Sequence, residues 1–343
     1  MASLFFWRRK DKAEPAAPHE ASVAAVALPA EPTAPALPAL PVQRMVYALA
    51  LNDPRAADPT ATPDASQTQL LLSASQTVAQ VGTQPHYTPQ RPSLLPQLME
   101  AVNDEDASLR ALARIVGQDP RLTGEMLRTA NSPLYRVSAA PVESIERAAA
   151  LLGTRGIRML ISGVLLQPLA RAGGRTGRFG DIAWEHAQYS ASAADAWASR
   201  HQDADPFAAQ MLALLHGLGV VTVYRVLADL YAAQPGLPRD AAAMASALDT
   251  SATMAAGRIA SNWGLSERTR EALEAQSAAA PAGEPTALAR ALQFGLHTGA
   301  LTLLCRHGQL SEETAMQQMA PAGFSGAASE RIWERLMRAY VRP

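Results

Sequence analysis

Few side chains in this 343-residue sequence are placed for covalent chemistry. The single cysteine, Cys305, lies two residues before His307; residues two apart on a helix point to different faces, so we expect no nucleophile–base pair there. One cysteine also excludes an intrachain disulfide and a thiolate metal cluster. The sequence contains neither Gly-x-x-x-x-Gly-Lys-Ser/Thr nor Gly-x-Gly-x-x-Gly, the runs that build phosphate-binding loops. What remains for chemistry is the histidines, among which His186 and His216 lie in helical stretches.

Arginines are concentrated in the middle of the chain. The formal net charge is −1, and arginine supplies 28 of the 30 basic residues. Between Arg110 and Arg178, eleven arginines stand against four acidic residues. This pattern is typical of solvated helix faces, and it would also suit a site for a phosphate-bearing ligand or an acidic partner. Because the overall charge is near zero and no aromatic pattern accompanies the arginines, nucleic acid is not expected as a partner.

The first part of the chain reads as a tail. Residues 13–64 are rich in alanine and proline, so we expect 1–64 to be extended and mobile, with one short strand at 44–51. Aromatic residues beside a basic cluster predict weak contact with an anionic membrane surface, through Phe5, Phe6, Trp7, Arg8 and Arg9. That order is the reverse of a signal peptide, and no run approaches the ~20 apolar residues of a membrane span, so we expect a cytoplasmic protein.

From residue 67 the apolar periodicity becomes helical, and strand signals are nearly absent. The sequence therefore predicts an all-α, globular multi-helix bundle at 65–280, followed by a C-terminal helical extension at 281–343 that packs on the main body. The expected helices lie near 94–103, 108–118, 120–130, 144–152, 154–170, 181–200, 206–216, 219–233, 240–248, 250–263, 266–277, 286–306, 311–319 and 326–341.

The most specific stretch lies between residues 119 and 153. Asp119 can cap a helix that begins at Pro120, where the missing N–H costs nothing. Asn131 can end that helix, since asparagine tolerates the left-handed conformation common at helix ends. A second helix follows, from Ser144 to Gly153. No catalytic residue type dominates the stretch, so it indicates a packing module.

This run resembles the HDOD family, a group of output domains in bacterial signalling proteins that is related to the HD metal phosphohydrolases. The resemblance continues in order through Leu95-Pro96, residues 108–116, Trp184-Glu185-His186, residues 214–219 and residues 256–265. It covers roughly residues 68–280 and implies an all-α fold.

The resemblance also implies where a metal site would lie. HD enzymes hold one or two divalent cations with a His, a His-Asp pair and a distant Asp, and hard cations need the carboxylate oxygens. His186 matches the first His and His216 the paired His, but the next residue is Gly217. We therefore expect no catalytic residue, no metal and no cofactor, with His186 and His216 as remnants of the pocket.

The resemblance then implies a non-catalytic signal-transduction module that acts through protein–protein or small-ligand binding, with a signalling protein as partner. Candidate contact residues border the former cleft at Arg128, Asn131, Ser132 and Tyr135. The alternative is a metal-dependent phosphohydrolase of the HD superfamily with an atypical metal site.

Overall fold

The computed structural model describes residues 39–103, 109–132, 135, 140–171, 176–277, 284–320, 322–324 and 326–339. Within these residues the chain is all-α, without strands. A short 3-10 helix lies at Pro54–Ala57. The α-helices are α1 (Val42–Leu51), α2 (Ala65–Ala79), α3 (Leu95–Asn103), α4 (Leu109–Gly117), α5 (Pro120–Ala130), α6 (Ile145–Arg171), α7 (Gly177–Ala198), α8 (Pro206–Ala233), α9 (Ala241–Asn262), α10 (Glu267–Glu274), α11 (Ala287–Arg306), α12 (Glu312–Gln317) and α13 (Ala327–Ala339).

Four long helices, α7, α8, α9 and α11, pack along one another and form the core. Glycines at their crossings bring the backbones close together. A Cβ on Gly219 of α8 would lie 2.3 Å from the carbonyl oxygen of Ala252 in α9. A Cβ on Gly299 of α11 would lie 2.3 Å from Ser190 Oγ in α7. Helix packing this close requires the absence of a side chain, since non-bonded carbon atoms normally stay about 3.5–4.0 Å apart.

This packing corrects two helix boundaries. The sequence predicts a break between residues 216 and 219 and another between 248 and 250, but α8 and α9 each run without interruption. The two glycines in the middle of α8 serve a close crossing rather than a helix end. Both long helices begin at an aspartate cap. Asp205 accepts a hydrogen bond from the N–H of Ala208, and Asp240 accepts one from the N–H of Ala243.

Helices α3, α4 and α5 pack on one another and on α6. The cap predicted at α5 is confirmed, because Asp119 Oδ1 accepts hydrogen bonds from the N–H groups of Arg121 and Leu122 at 2.7 and 3.3 Å. The predicted end at Gly153 is also confirmed, since φ 65° and ψ 175° interrupt α6 there. That backbone conformation is essentially restricted to glycine. Asn131 ends α5 with φ −90°, so the left-handed conformation predicted for it is wrong.

The segment before residue 64 differs from the prediction. Residues 42–51 form helix α1 rather than a strand or a mobile tail, because Val46 and Tyr47 are buried against α7, α9 and α11. A tertiary contact thus overrides the tail-like composition. The rest of the predicted tail, residues 1–38, lies outside the described residues, as does the membrane contact predicted for Phe5, Phe6, Trp7, Arg8 and Arg9.

At the other end, α11, which belongs to the predicted C-terminal extension, packs on α7, α8 and α1. Four tryptophans are core residues: Trp184, Trp197, Trp263 and Trp333 are all buried. By length and composition α6 and α8 could each cross a membrane, which the sequence analysis did not anticipate. In α8 the apolar stretch is 89% buried inside the fold, so its hydropathy is that of a core helix.

Candidate functional site: a buried histidine pair

His186 lies on α7, in the core, with 3% of its surface exposed. Its Nε2 is 3.1 Å from the carbonyl oxygen of Leu296 in α11. Because a carbonyl only accepts hydrogen bonds, Nε2 carries the proton and donates it. Burial lowers the pKa of the ring from 6.5 to about 4, although the hydrogen bond to Leu296 opposes the shift. The ring is therefore neutral at pH 7, and one of its two nitrogens is committed to α11.

His216 lies on α8 and is also buried. Burial, and then the proximity of His186, lower its pKa to about 3, so the two rings are close enough to influence each other and both are neutral at pH 7. Its Nδ1 is buried and has no hydrogen-bond partner among the described residues. The structure thus brings together the two histidines that the sequence singles out, although they lie 30 positions apart in the chain.

The position after His216 decides what the pair can hold. A Cβ on Gly217 would lie 2.4 Å from the Cβ of Ala187 in α7. The crossing of α7 and α8 therefore leaves no room for any side chain at Gly217, and an aspartate there would require the helices to move apart. Sequence reasoning identifies the missing carboxylate but misses Ala187, whose only signal is the high alanine content of α7.

Among the residues that the structure describes, no other carboxylate replaces it. Asp249 forms an ion pair with Arg44, and Asp195 with Arg155. Glu271 and Glu274 lie exposed on α10. Within the part of the chain that the structure describes, no three His, Cys, Asp or Glu side chains form a group that could hold a metal. These residues therefore do not provide the carboxylate ligands that HD enzymes use to hold their cations.

Asn131, one of the predicted contact residues, has a structural role. Its Oδ1 accepts from the N–H of Val142 at 2.7 Å, and its Nδ2 donates to the carbonyl oxygens of Leu127 and Val142, both at 2.9 Å. The side chain therefore ties the end of α5 to the segment that leads into α6. These bonds occupy the oxygen and both amide hydrogens once each, and they explain how a right-handed residue can end the helix.

The other predicted contact residues lie near Asn131. Arg128 is exposed and pairs with Glu125 one turn earlier. Ser132 is half-buried. Tyr135 is half-buried against the core, and its hydroxyl would lie 3.8 Å from a Cβ on Gly156. None of these contacts bears on whether a ligand or partner binds here, so the assignment stays a prediction.

The arginine-rich region is partly neutralised by α7. Arg155 pairs with Asp195, and Arg171 with Asp181 at 3.1 Å. Burial raises the pKa of the Asp195 carboxyl. Three arginines lower it, and Arg155 has the largest effect among them. The local excess of positive charge in the sequence thus meets carboxylates from outside that stretch.

Cys305 and His307 do not form a pair. The Cys305 thiol points to the carbonyl oxygen of Ser311 at 3.6 Å, and burial raises the pKa of the thiol to about 11. His307 Nε2 instead lies 3.0 Å from Glu185 Oε2 in α7. The cysteine is therefore a weak nucleophile at neutral pH, in line with the sequence prediction.

The sequence comparison places this geometry in a family. The HDOD domain matches residues 88–279, more than half of the chain. The chain belongs to the HDOD family. The match begins after α2 and ends before α11, so the histidine pair lies inside it and Leu296 outside. A search of curated proteins finds no match to this HDOD protein.

Two solved structures with TM-scores above 0.5 share the fold. A protein from Shewanella amazonensis SB2B, provisionally described as a metal-dependent phosphohydrolase, aligns over 81% of this chain and 100% of its own, with TM-score 0.53 and 18% identity. An HDOD domain protein of unknown function from Geobacter sulfurreducens aligns over 80% and 95%, with TM-score 0.53 and 20% identity. A protein from Marinobacter aquaeolei VT8, provisionally described as a signal transduction protein, aligns over 80% and 63%, with TM-score 0.49 and 19% identity.

Proposed function

We propose that this HDOD protein is a non-catalytic module of bacterial signal transduction that works by binding a partner protein or a small ligand. The observation that carries the proposal is the crossing at Gly217, where a Cβ would lie 2.4 Å from that of Ala187. Metal-assisted hydrolysis needs a carboxylate to set the cation and help activate water. In this chain the position that would supply it has no side chain and no room for one.

The histidines support the same proposal. His186 Nε2 is engaged by Leu296, which lies on a core helix outside the family match. A neutral imidazole could bind a softer cation such as Zn²⁺, but two imidazoles without an acid make a weak site. We also propose a cytoplasmic location, which the single cysteine suits.

The alternative, a metal-dependent phosphohydrolase with an atypical site, is favoured by one observation. His216 Nδ1 is buried without a partner among the described residues, and both rings are deprotonated at neutral pH, as metal ligands must be. This alternative requires an acid from elsewhere to reach the pair.

The test is the metal content of the full chain, purified from medium supplied with manganese, iron and zinc and measured by elemental analysis. We expect far less than one metal per chain, and no difference between the wild type and a His186→Gln, His216→Gln double variant. His201→Gln is the matched control, because it changes an exposed histidine that is not part of the buried pair. One or two metals per chain, lost in the double variant but kept in the control, would refute the proposal.

Hydrolysis is measured on the same preparations with a phosphodiester and with nucleotide substrates. We expect no turnover above that of the double variant. Turnover that the double variant abolishes and the His201→Gln control retains would establish the alternative instead.

A further inference from the structure

Helix α1 is a short apolar helix that packs on the HDOD bundle. Its buried residues, Val42, Val46, Tyr47 and Ala50, follow the spacing by which a helix lays one face into a groove. The surface that receives them is formed by α7, α9 and α11. Alone, a helix of 10 residues is marginal in water, so α1 owes its structure to this seat.

Polar contacts fix the helix at both ends and in the middle. Near its start, the Leu40 N–H donates to Gln318 Oε1 at 2.7 Å. In the middle, Arg44 forms an ion pair with Asp249 of α9 and donates to the carbonyl oxygen of Ala242. The Arg44 side chain is 11% exposed and that of Asp249 is 33% exposed, so this pair is partly shielded from solvent. At the end, Arg178 of α7 donates to the carbonyl oxygen of Leu49 at 3.3 and 3.4 Å.

The connection to the rest of the chain is weak by comparison. After the 3-10 helix, residues 58–62 are exposed, and the hydrogen bonds of Asp58 and Thr60 are local. Helix α2, which follows, packs on α8 and α9 by itself. Residues 39–57 also lie outside the HDOD match at 88–279. The unit formed by α1 and the 3-10 helix is therefore joined to the rest of the chain through an exposed segment with only local hydrogen bonds.

We propose that α1 is a displaceable intramolecular ligand, and that the groove on α7, α9 and α11 is where this HDOD protein binds an amphipathic helix of its partner. The partner helix presents apolar anchors at the spacing of Val42, Val46 and Tyr47, and a cation that faces Asp249 in place of Arg44. This inference rests on the proposed function as a binding module. It adds the surface and the chemistry of the partner.

The test uses full-length chains and a fluorescein-labelled peptide of residues 39–57, with binding followed by fluorescence anisotropy. In the wild type α1 occupies the groove, so the peptide should bind poorly. Arg44→Glu in the chain repels Asp249 and should open the groove. Binding of the wild-type peptide should then tighten by more than about tenfold, because apparent affinity scales with the fraction of molecules in the competent state.

Charge reversal provides the specificity check. An Arg44→Glu peptide should not bind the Arg44→Glu chain, but it should bind an Asp249→Arg chain, which in turn should reject the wild-type peptide. Arg55→Glu is the matched control, since Arg55 is exposed and pairs with Asp53 within the same short segment. That chain should bind the peptide no better than the wild type does.

Three results would overturn the proposal. The first is no gain of peptide binding in a folded Arg44→Glu chain. The second is a concentration-dependent doubling of mass in that chain by light scattering, because the occupant would then be a second copy. The third is that, in the wild type, the backbone amides of α1 exchange hydrogen as slowly as those of α7. This measurement tests whether α1 leaves the groove even if the Arg44→Glu chain does not fold.

The two proposals fail separately. Metal-dependent hydrolysis would refute the non-catalytic function without affecting peptide binding. Absence of peptide binding in a metal-free, inactive protein would refute the groove and leave the non-catalytic function in place.

Discussion

Replacing Gly217 by alanine tests the crossing on which the functional proposal depends. The added Cβ would lie 2.4 Å from the Cβ of Ala187, more than about 1 Å inside a normal carbon–carbon contact. Neither atom belongs to a flexible side chain, so α7 and α8 must move apart. We assign an overpacking cost of about 3 kcal/mol, the upper end of the usual range. Alanine regains about 1 kcal/mol over glycine in a helix, which leaves a net loss of about 2 kcal/mol.

The loss is measured by urea unfolding followed by circular dichroism. In a thermal melt it should lower the melting temperature by roughly 3 °C, because a chain of 343 residues has a large unfolding entropy. The double variant Gly217→Ala, Ala187→Gly should return close to wild-type stability, because the next atom facing the new Cβ is Ala187 Cα at 3.7 Å, an ordinary contact. The expected coupling between the two sites is about 3 kcal/mol in a double-mutant cycle.

Gly257→Ala in α9 is the control, since no atom lies within 4 Å of its added Cβ; it should stabilise by up to about 1 kcal/mol. If Gly217→Ala stabilised the protein as the control does, or if the double-mutant coupling were absent, α7 and α8 would not be in close contact at this point. The argument against a carboxylate at position 217 would then fail. Gly217→Asp should unfold more readily still, because it adds a buried charge without a partner.

Three further predictions follow from the same packing. The folded-state pKa values of His186 and His216 lie near 4 and 3, below the unfolded value of 6.5. The stabilisation that each neutral histidine contributes is therefore complete above pH 6.5. The free energy of unfolding should fall by up to about 1.4 kcal/mol per pH unit per histidine as the pH drops toward 4. If urea titrations of a His186→Gln, His216→Gln variant gave the same dependence of unfolding free energy on pH, this prediction would be contradicted. Gly153→Ala should lower the free energy of unfolding by about 1–3 kcal/mol, because the backbone at this residue has φ 65° and ψ 175°. Gly163→Ala in the same helix is the control, since the backbone there is regular and the added Cβ meets open space. It should be neutral or stabilising in the same thermal melts. Asn131→Asp keeps the acceptor but loses both donated hydrogen bonds, so it should destabilise by about 1–3 kcal/mol in urea unfolding; equal stability would mean that water replaces them without cost.

The fold class could be read from the sequence because helix formation is largely local. Asp119 and Pro120 mark the start of α5, and Gly153 interrupts α6, through side chains and backbone preferences within one helical turn. The breaks predicted inside α8 and α9 are wrong for the opposite reason. Glycine is a poor helix former in isolation, but at position 219 any side chain would collide with Ala252, so the crossing of α8 and α9 requires the glycine.

The candidate site divides in the same way. The sequence by itself determined which groups are present: the two histidines, and a glycine where a carboxylate would stand. Only the tertiary structure decided that Ala187 fills the space beside Gly217, that Leu296 engages His186, and that α1 is a helix rather than a tail. These contacts join residues far apart in the chain, and their energies come from burial and steric exclusion between helices. No local pattern in the sequence encodes that arrangement.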